Sequence, residues 1–170
     1  MNKQLTFKMD KKYPYAFEVR CMVVRETDSE QKRLRTPEDI YDAWNNSVIQ
    51  ADWFNPDKEC IVVFFLSAQN ILRGFEMVAI GILDSCLVHP REIYRSAITA
   101  GASGIVIAHH HPSGDPTPSA EDVRVTRQLV KAGKIIDIDL KDHVIIGHHY
   151  QQRPKHTAWV SMREEGLVDF

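Results

Sequence analysis

Residues 105–122 have the sequence IVIAHHHPSGDPTPSAED, in which a strand is joined to a helix through a rigid turn. The apolar run Ile105–Ala108 is short and rich in β-branched residues, which is typical of a buried strand. The prolines and the glycine between positions 112 and 118 predict a turn. Ser119 is a good N-cap residue for a helix that we expect to end at Gly133. A strand followed so closely by a helix favours an α/β domain.

The sequence before this stretch predicts a helix, a hairpin and a second helix. Thr36-Pro37-Glu38-Asp39 is a strong helix start, with a capping residue, a proline for the first turn and acids that favour the helix dipole. A buried strand is expected over Glu59–Leu66, and a turn connects it to an antiparallel partner over Ile71–Gly81. The second helix is expected to begin near His89.

Two more short strands are predicted after the third helix, over Ile135–Leu140 and His143–Ile146. The order of elements is then roughly α-β-β-α-β-α-β-β. This order favours a single α/β domain in which a mixed β-sheet is flanked by helices. We expect this domain to cover residues 36–170, preceded by an N-terminal extension, residues 1–35, with a candidate edge strand over residues 17–24.

Composition and charge narrow the class of protein. The chain has 170 residues, with 21 basic and 23 acidic side chains and a formal net charge of −2, so charge gives no support for a nucleic-acid partner. The N-terminus lacks an apolar signal segment, and no apolar run is long enough to cross a membrane. The widely spaced Cys21, Cys60 and Cys86 resemble reduced core residues, so we expect a cytoplasmic protein. The sequence makes no prediction of its oligomeric state.

The three consecutive histidines raise the question of a metal site. Because side chains alternate along a strand, His109 and His111 are expected on one side of the sheet and His110 on the other. Such a pair is a weak signal alone, and a polar turn is the alternative. Ser119 and Asp122 have the spacing of a helix capping box, but the turn also allows Asp122 to reach the two histidines. Two histidines and one carboxylate would leave a fourth position open for water, as in catalytic zinc sites.

The spacing His109-x-His111, seven residues, then Ser119-x-x-Asp122 resembles the JAMM (JAB1/MPN/Mov34 metalloenzyme) motif. Longer segments resemble the RadC family, in the expected order: TPEDI (36–40), ECIVVFFLSAQNIL (59–72), VHPREIYRSAI (88–98), HHHPSGDPTPSAED (109–122), AGKIIDIDLKDHVIIG (132–147) and VSMREEGL (160–167). The resemblance implies a JAMM/cytidine-deaminase-like fold.

The resemblance also implies a function and the roles of five residues. A zinc-dependent hydrolase of JAMM type would cleave an amide, peptide or isopeptide bond, with Zn²⁺ held by His109, His111 and Asp122. Glu59 matches the upstream glutamate that serves such enzymes as general base and acid, with Glu76 and Glu92 as rivals. Ser119 would donate a hydrogen bond to the oxyanion or to the water on the metal.

Other functions are weighed against this one. A non-catalytic interaction module, in DNA repair or mobile-element biology, would keep the metal site as a structural or vestigial feature. A nuclease is disfavoured because a His/His/Asp site is unlike the carboxylate-rich sites that hold magnesium. A deaminase is disfavoured because the cysteine ligands of its zinc site are missing. The substrate is not identified by any segment of the sequence.

Three features stay open at this level. RadC relatives usually have asparagine where this chain has His110, which is expected to point away from the site. The pair Asp142-His143 either orients a metal-binding histidine through a hydrogen bond or forms a structural turn. The polar stretch over residues 148–159 is either an insertion, which we favour, or a loop on the substrate side.

Overall fold

A mixed five-stranded sheet forms the centre of the computed structural model, which describes residues 32–81, 89–147 and 158–170. The strands are β1 (Cys60–Leu66), β2 (Leu72–Ile80), β3 (Gly104–His110), β4 (Asp139–Ile146) and β5 (Trp159–Ser161). Their spatial order is β2-β1-β3-β4-β5. Only β3 and β4 run parallel, and the other neighbouring strands are antiparallel. The predicted α/β class with a mixed sheet is therefore confirmed.

Helices cover both faces of the sheet. The first, α1 (Pro37–Ala43), begins with the capping box of Thr36 and Asp39 and continues as a π-helical turn over Trp44–Val48. It packs on one face, whereas α2 (Pro90–Thr99) and α3 (Ala120–Ile136) pack on the other.

The central strands β1 and β3 are buried on both faces, which explains why their sequences are almost entirely apolar. Alternate residues of β1 enter two separate cores. Ile61, Val63 and Phe65 pack with α2 and α3, while Val62 and Phe64 pack with α1. The same alternation along β3 decides which histidine faces which core.

The prediction that the third helix ends at Gly133 is wrong. The helix continues to Ile136, and Asp137 ends it in the left-handed conformation, with φ of 59°. Gly133 lies inside the helix at a close contact, where an added Cβ would lie 2.5 Å from the backbone oxygen of Ile138 and 2.5 Å from the hydroxyl of Tyr94. Close packing, and not helix termination, therefore explains this glycine.

The prediction of a strand over Ile135–Leu140 is also wrong, because α3 continues past Gly133. Ile135 and Ile136, at the start of the predicted strand, belong to the last turn of α3, where Ile135 is 84% exposed. A single strand, β4, then replaces the two predicted short ones. Since α3 connects the parallel strands β3 and β4, this helix and the strand after it fix the geometry around the histidines.

Several predictions fall partly or wholly on residues that are not described, including the core positions expected for Cys21 and Cys86. The candidate edge strand over residues 17–24 lies outside the described residues, as does most of the stretch over residues 148–159, whose last residue belongs to β5. The boundary at residue 36 stays a prediction. Residues 32–34 already pair with the residues around the start of β2, through a bridge between Arg33 and Ile71. Across the described ranges, no helix is both long and apolar enough to cross a membrane.

Candidate metal centre

His109, His111 and Asp122 meet where β3 ends and α3 begins. The Nε2 atoms of the two histidines are 3.0 Å apart. Asp122 Oδ1 lies 3.4 Å from His109 Nε2, and Asp122 Oδ2 lies 3.7 Å from His111 Nε2. One ligand atom from each of the three residues lies within 4.8 Å of the other two, so the cluster could hold a metal ion.

The hydrogen bonds of the two imidazoles turn their Nε2 atoms towards this cluster. His111 Nδ1 lies 2.7 Å from the backbone oxygen of Asp115, which can only accept a hydrogen bond, so Nδ1 carries the proton. His109 Nδ1 lies 2.7 Å from Nε2 of His143. A hydrogen bond at the ring nitrogen that does not bind the metal is what orients a metal-binding imidazole.

Ser119 and Asp122 form a complete capping box at the start of α3. The amide of Asp122 donates to Ser119 Oγ over 3.1 Å, and the amide of Ser119 donates to Asp122 Oδ2 over 2.8 Å. The Ser119 hydroxyl also donates to Asp122 Oδ2 over 2.6 Å. The two alternatives that the sequence left open therefore coexist, since Asp122 caps the helix through Oδ2 and turns Oδ1 towards His109.

Burial and neighbouring charges set the protonation states of the site. Burial lowers the pKa of His109 well below its usual value and lowers the pKa of His143 to about 4. Burial opposes the ionised form of Asp122 as well. The nearby His111 and His109 and the hydrogen bonds from Ser119 outweigh it, and the pKa of Asp122 falls. At neutral pH the cluster thus offers a neutral His109 and an ionised carboxylate, the states that bind metal.

His111 differs from the two buried histidines because it faces acids at the edge of the site. Burial alone would lower its pKa, but the nearby Asp122 carboxylate, the hydrogen bond to the Asp115 carbonyl and the charge of Glu59 raise it. Protons and a metal ion would therefore compete for this ligand.

Glu59 lies beside His111 because of the pairing between strands. The register of β1 and β3 pairs Ile61 with His109, so the residue directly before β1 reaches the residue directly after β3. A cleft of about 840 Å³ opens here, and Glu59, His111 and Ser119 are among its lining residues. A half-buried carboxylate at this edge can exchange protons with a molecule in the cleft.

The rival glutamates lie elsewhere. Glu76 is exposed in the middle of β2, opposite Val63. Glu92 is in the first turn of α2, where it forms surface ion pairs with Arg91 and Arg95. Neither position is at the strand ends that form the site.

His110 faces the other core, on the side predicted from strand alternation. Its Nε2 lies 3.2 Å from the backbone oxygen of Pro56, and its Nδ1 lies 3.5 Å from the sulfur of Cys60. Its ring packs against Trp44 and Phe54, with centroid distances of 5.8 and 5.2 Å. These contacts explain His110 as a core residue.

Of the two alternatives for Asp142-His143, the structural turn is wrong, because both residues lie within β4, whereas the contact between His143 and His109 agrees with an orienting hydrogen bond. The carboxylate of Asp142 is buried and accepts hydrogen bonds from the His143 amide at 2.7 Å and the Ser161 hydroxyl at 2.7 Å. It thereby fixes β4 to the end of β5. His143 contacts His109, and its Nδ1 lies 2.6 Å from the hydroxyl of Thr126.

Thr126 is the residue of this site that the sequence analysis missed. Its position four residues after Asp122 places both on one face of α3, which is a signal that spacing could have given. The need for that hydroxyl is apparent only from the pairing of β3 with β4, which brings His143 beneath the helix.

The mixed sheet, the two covering layers and the His/His/Asp cluster together define an α/β domain with a metal-type site. The chain belongs to the RadC family: the family model described as "RadC-like JAB domain" matches residues 34–167. The similarity that the motifs indicated is thus confirmed.

Relatives in several organisms are similar over most of this chain. A UPF0758 protein of Caldanaerobacter subterraneus is 37% identical over 155 residues, which cover 91% of this chain and 61% of the relative. A UPF0758 protein of Methanosarcina mazei is 35% identical over 138 residues, 81% of this chain and 55% of the relative. A UPF0758 protein of Clostridium botulinum strain Loch Maree is 40% identical over 136 residues, 80% of this chain and 54% of the relative. The matches therefore span little more than half the length of these relatives.

Proposed function

We propose that this protein is a zinc-dependent hydrolase of JAMM type, which cleaves an amide, peptide or isopeptide bond. The observation that carries the proposal is the meeting of His109 Nε2, His111 Nε2 and an Asp122 oxygen, within 4.8 Å of one another, beside a cleft that Glu59 also lines. Two imidazoles and one carboxylate suit zinc and leave a coordination position open. Membership of the RadC family supports the same site.

The donor set fits zinc in its orientation as well as its chemistry. The Nδ1 atoms of both imidazoles are engaged with partners outside the cluster, so only Nε2 of each ring faces it. A bound zinc ion would supply Lewis acidity, which activates water and polarises a carbonyl group.

The remaining steps belong to side chains of the cleft. The Glu59 carboxylate would accept a proton from the attacking water and deliver it to the leaving amine, as a general base and then a general acid. Ser119, which lines the same cleft, would donate a hydrogen bond to the developing oxyanion. Its present donation to Asp122 Oδ2 holds that ligand in place until substrate binds.

The first experiment is elemental analysis of tag-free protein after exposure to zinc and removal of excess metal at neutral pH. We expect about one zinc ion per chain, as a site with three protein ligands requires. We also expect its loss in His109→Ala and in Asp122→Ala. A wild-type protein that keeps no zinc under these conditions would refute the hydrolase proposal.

The second experiment tests the chemistry. Wild-type protein is incubated with a pooled peptide library and with lysine isopeptide conjugates, and products are detected by mass spectrometry. Glu59→Gln should retain zinc and lose hydrolysis, while the matched control Glu76→Gln should keep both. Full activity of Glu59→Gln would remove the role assigned to Glu59. Zinc binding without cleavage in this screen would favour the alternative, an interaction module with a structural metal.

A further inference from the structure

We propose that Thr126 is a positioning residue for the metal centre: through His143 it fixes the tautomer of His109, so that the Nε2 lone pair of His109 faces the metal. This inference rests on the metal site of the proposed function. In this assignment Thr126 contacts neither metal nor substrate. It acts only by determining which ring nitrogen of His143, and hence of His109, carries the proton.

A continuous line of short contacts connects Thr126 to the site. The Thr126 hydroxyl lies 2.6 Å from His143 Nδ1, and His143 Nε2 lies 2.7 Å from His109 Nδ1. The same hydroxyl donates to the backbone oxygen of Asp122 over 2.6 Å. The line therefore starts at one metal ligand, His109, and ends on the backbone of another, Asp122.

The direction of each hydrogen bond follows from the two ends of this line. A hydroxyl has one proton, and the other neighbours of Thr126 Oγ1, the Asp122 carbonyl and the sulfur of Met162 at 3.3 Å, can only accept. If the proton pointed to His143 instead, two oxygens would stand 2.6 Å apart with no proton between them. Thr126 must accordingly accept a hydrogen bond from Nδ1–H of His143.

The tautomers of both histidines follow in turn. A neutral His143 that donates through Nδ1 can only accept at Nε2, so His109 donates through its own Nδ1–H. His109 Nε2 then carries the lone pair, on the side where His111 and Asp122 lie.

Burial protects this arrangement from water. His109 and Thr126 have no exposed surface, and His143 and Asp122 are each 3% exposed. A buried hydrogen bond whose partner is removed is not replaced by solvent, so the loss of one hydroxyl is felt along the whole line. Thr126 is also four residues from Asp122 on α3, and the rigid helix therefore sets the distance between the end of the line and the third ligand.

The test compares Thr126→Val with Thr126→Ser. Valine keeps the shape and removes the hydroxyl, while serine keeps the hydroxyl. Thr99→Val is the matched control, since Thr99 makes the same hydroxyl-to-carbonyl contact, to Arg95 at 2.9 Å, on α2. Two readouts apply to each protein: zinc affinity by competition with a chromophoric chelator, and ¹⁵N NMR of the imidazoles in the metal-free protein, which reports each tautomer.

We expect Thr126→Val to weaken zinc binding about 10- to 100-fold, the usual effect of losing a hydrogen bond behind a metal ligand. Its NMR spectrum should show His109 and His143 in mixed tautomers. Thr126→Ser and Thr99→Val should resemble the wild type. Wild-type affinity and tautomers in Thr126→Val would overturn the proposal, as would a loss in Thr126→Ser equal to that in Thr126→Val.

The wild-type NMR spectrum alone also decides the matter if Thr126→Val does not fold. A proton on Nε2 of His109 in the metal-free wild type would overturn the assignment, and a proton on Nδ1 would support it. Because this readout needs neither zinc nor hydrolysis, failure of the proposed function and failure of the role of Thr126 are distinguishable.

Discussion

Replacement of Gly133 by alanine should destabilise this protein, although alanine is the better helix former. At an exposed helical position the change would stabilise by about 1 kcal/mol. Here the new Cβ would lie 2.5 Å from the Ile138 backbone oxygen and 2.5 Å from the hydroxyl of Tyr94. That hydroxyl donates to the Leu129 carbonyl over 2.8 Å, and the Ile138 amide donates to the Gly133 carbonyl over 3.1 Å, so neither neighbour moves without cost.

The magnitude follows from these contacts. Overpacking of a buried site costs about 1–3 kcal/mol, and displacement of the Tyr94 hydrogen bond adds about 1 kcal/mol. Against the gain in helix propensity, the net loss in the free energy of unfolding should be about 1–3 kcal/mol. Urea unfolding of the metal-free protein, followed by circular dichroism, measures it directly.

Two further variants make the test specific. Ile135→Ala, at the 84% exposed position two residues away, should change the free energy of unfolding by no more than about 0.5 kcal/mol. In a Tyr94→Phe background, which removes one of the two clashing atoms, Gly133→Ala should cost less than in the wild type. A Gly133→Ala protein as stable as the wild type would refute the packing explanation.

Three other results are expected. His110→Ala should lower the midpoint of urea unfolding yet keep the zinc content of the wild type by elemental analysis, because His110 packs in the core on the other face; loss of zinc would contradict this. Zinc at 100 times its dissociation constant should raise the free energy of unfolding by about 2.7 kcal/mol, and thermal melts of His109→Ala should show no such gain. Hydrogen bonds from the Arg35 and Thr36 amides outweigh burial and lower the pKa of Asp39. The contribution of the ionised Asp39 to stability is therefore present at neutral pH and is lost as the pH falls below about 4. Urea unfolding should therefore show a smaller acid-induced loss in Asp39→Asn than in the wild type; equal losses would count against this assignment.

The sequence was sufficient for β1, β2 and β3 and for the starts of the helices because those elements depend on local signals, whereas β4 was predicted as two strands and β5 was not predicted. Strand alternation placed His109 and His110 on opposite faces, and the capping box located the start of α3 at Ser119. The end of α3 was misplaced because Gly133 is explained by contacts with Tyr94 and with the turn after the helix. Tyr94 is far away in the sequence, and Ile138 follows the turn that ends the helix. The spacing of residues within one helix carries no information about either contact.

The same limit applies to the site. His109, His111 and Asp122 lie on one strand end and the adjoining helix start, so their meeting could be expected from a strand, a turn and a cap. The position of His143 depends instead on the parallel register that pairs it with Ile107 of β3. Such a register is set by the crossover through α3, and sequence spacing alone does not specify it.

The position of His110 between the two metal-type histidines has a consequence for the entropy of metal binding. Its ring holds the tip of β3 to the Pro56 carbonyl on one face, while the His111 amide donates to the Ile146 carbonyl over 2.9 Å at the neighbouring strand. The backbone that carries both imidazoles is therefore ordered by folding, before any ion arrives. Binding should then cost little conformational freedom. Folding itself thus orders the three candidate ligands, and a metal ion would meet a site that is already assembled.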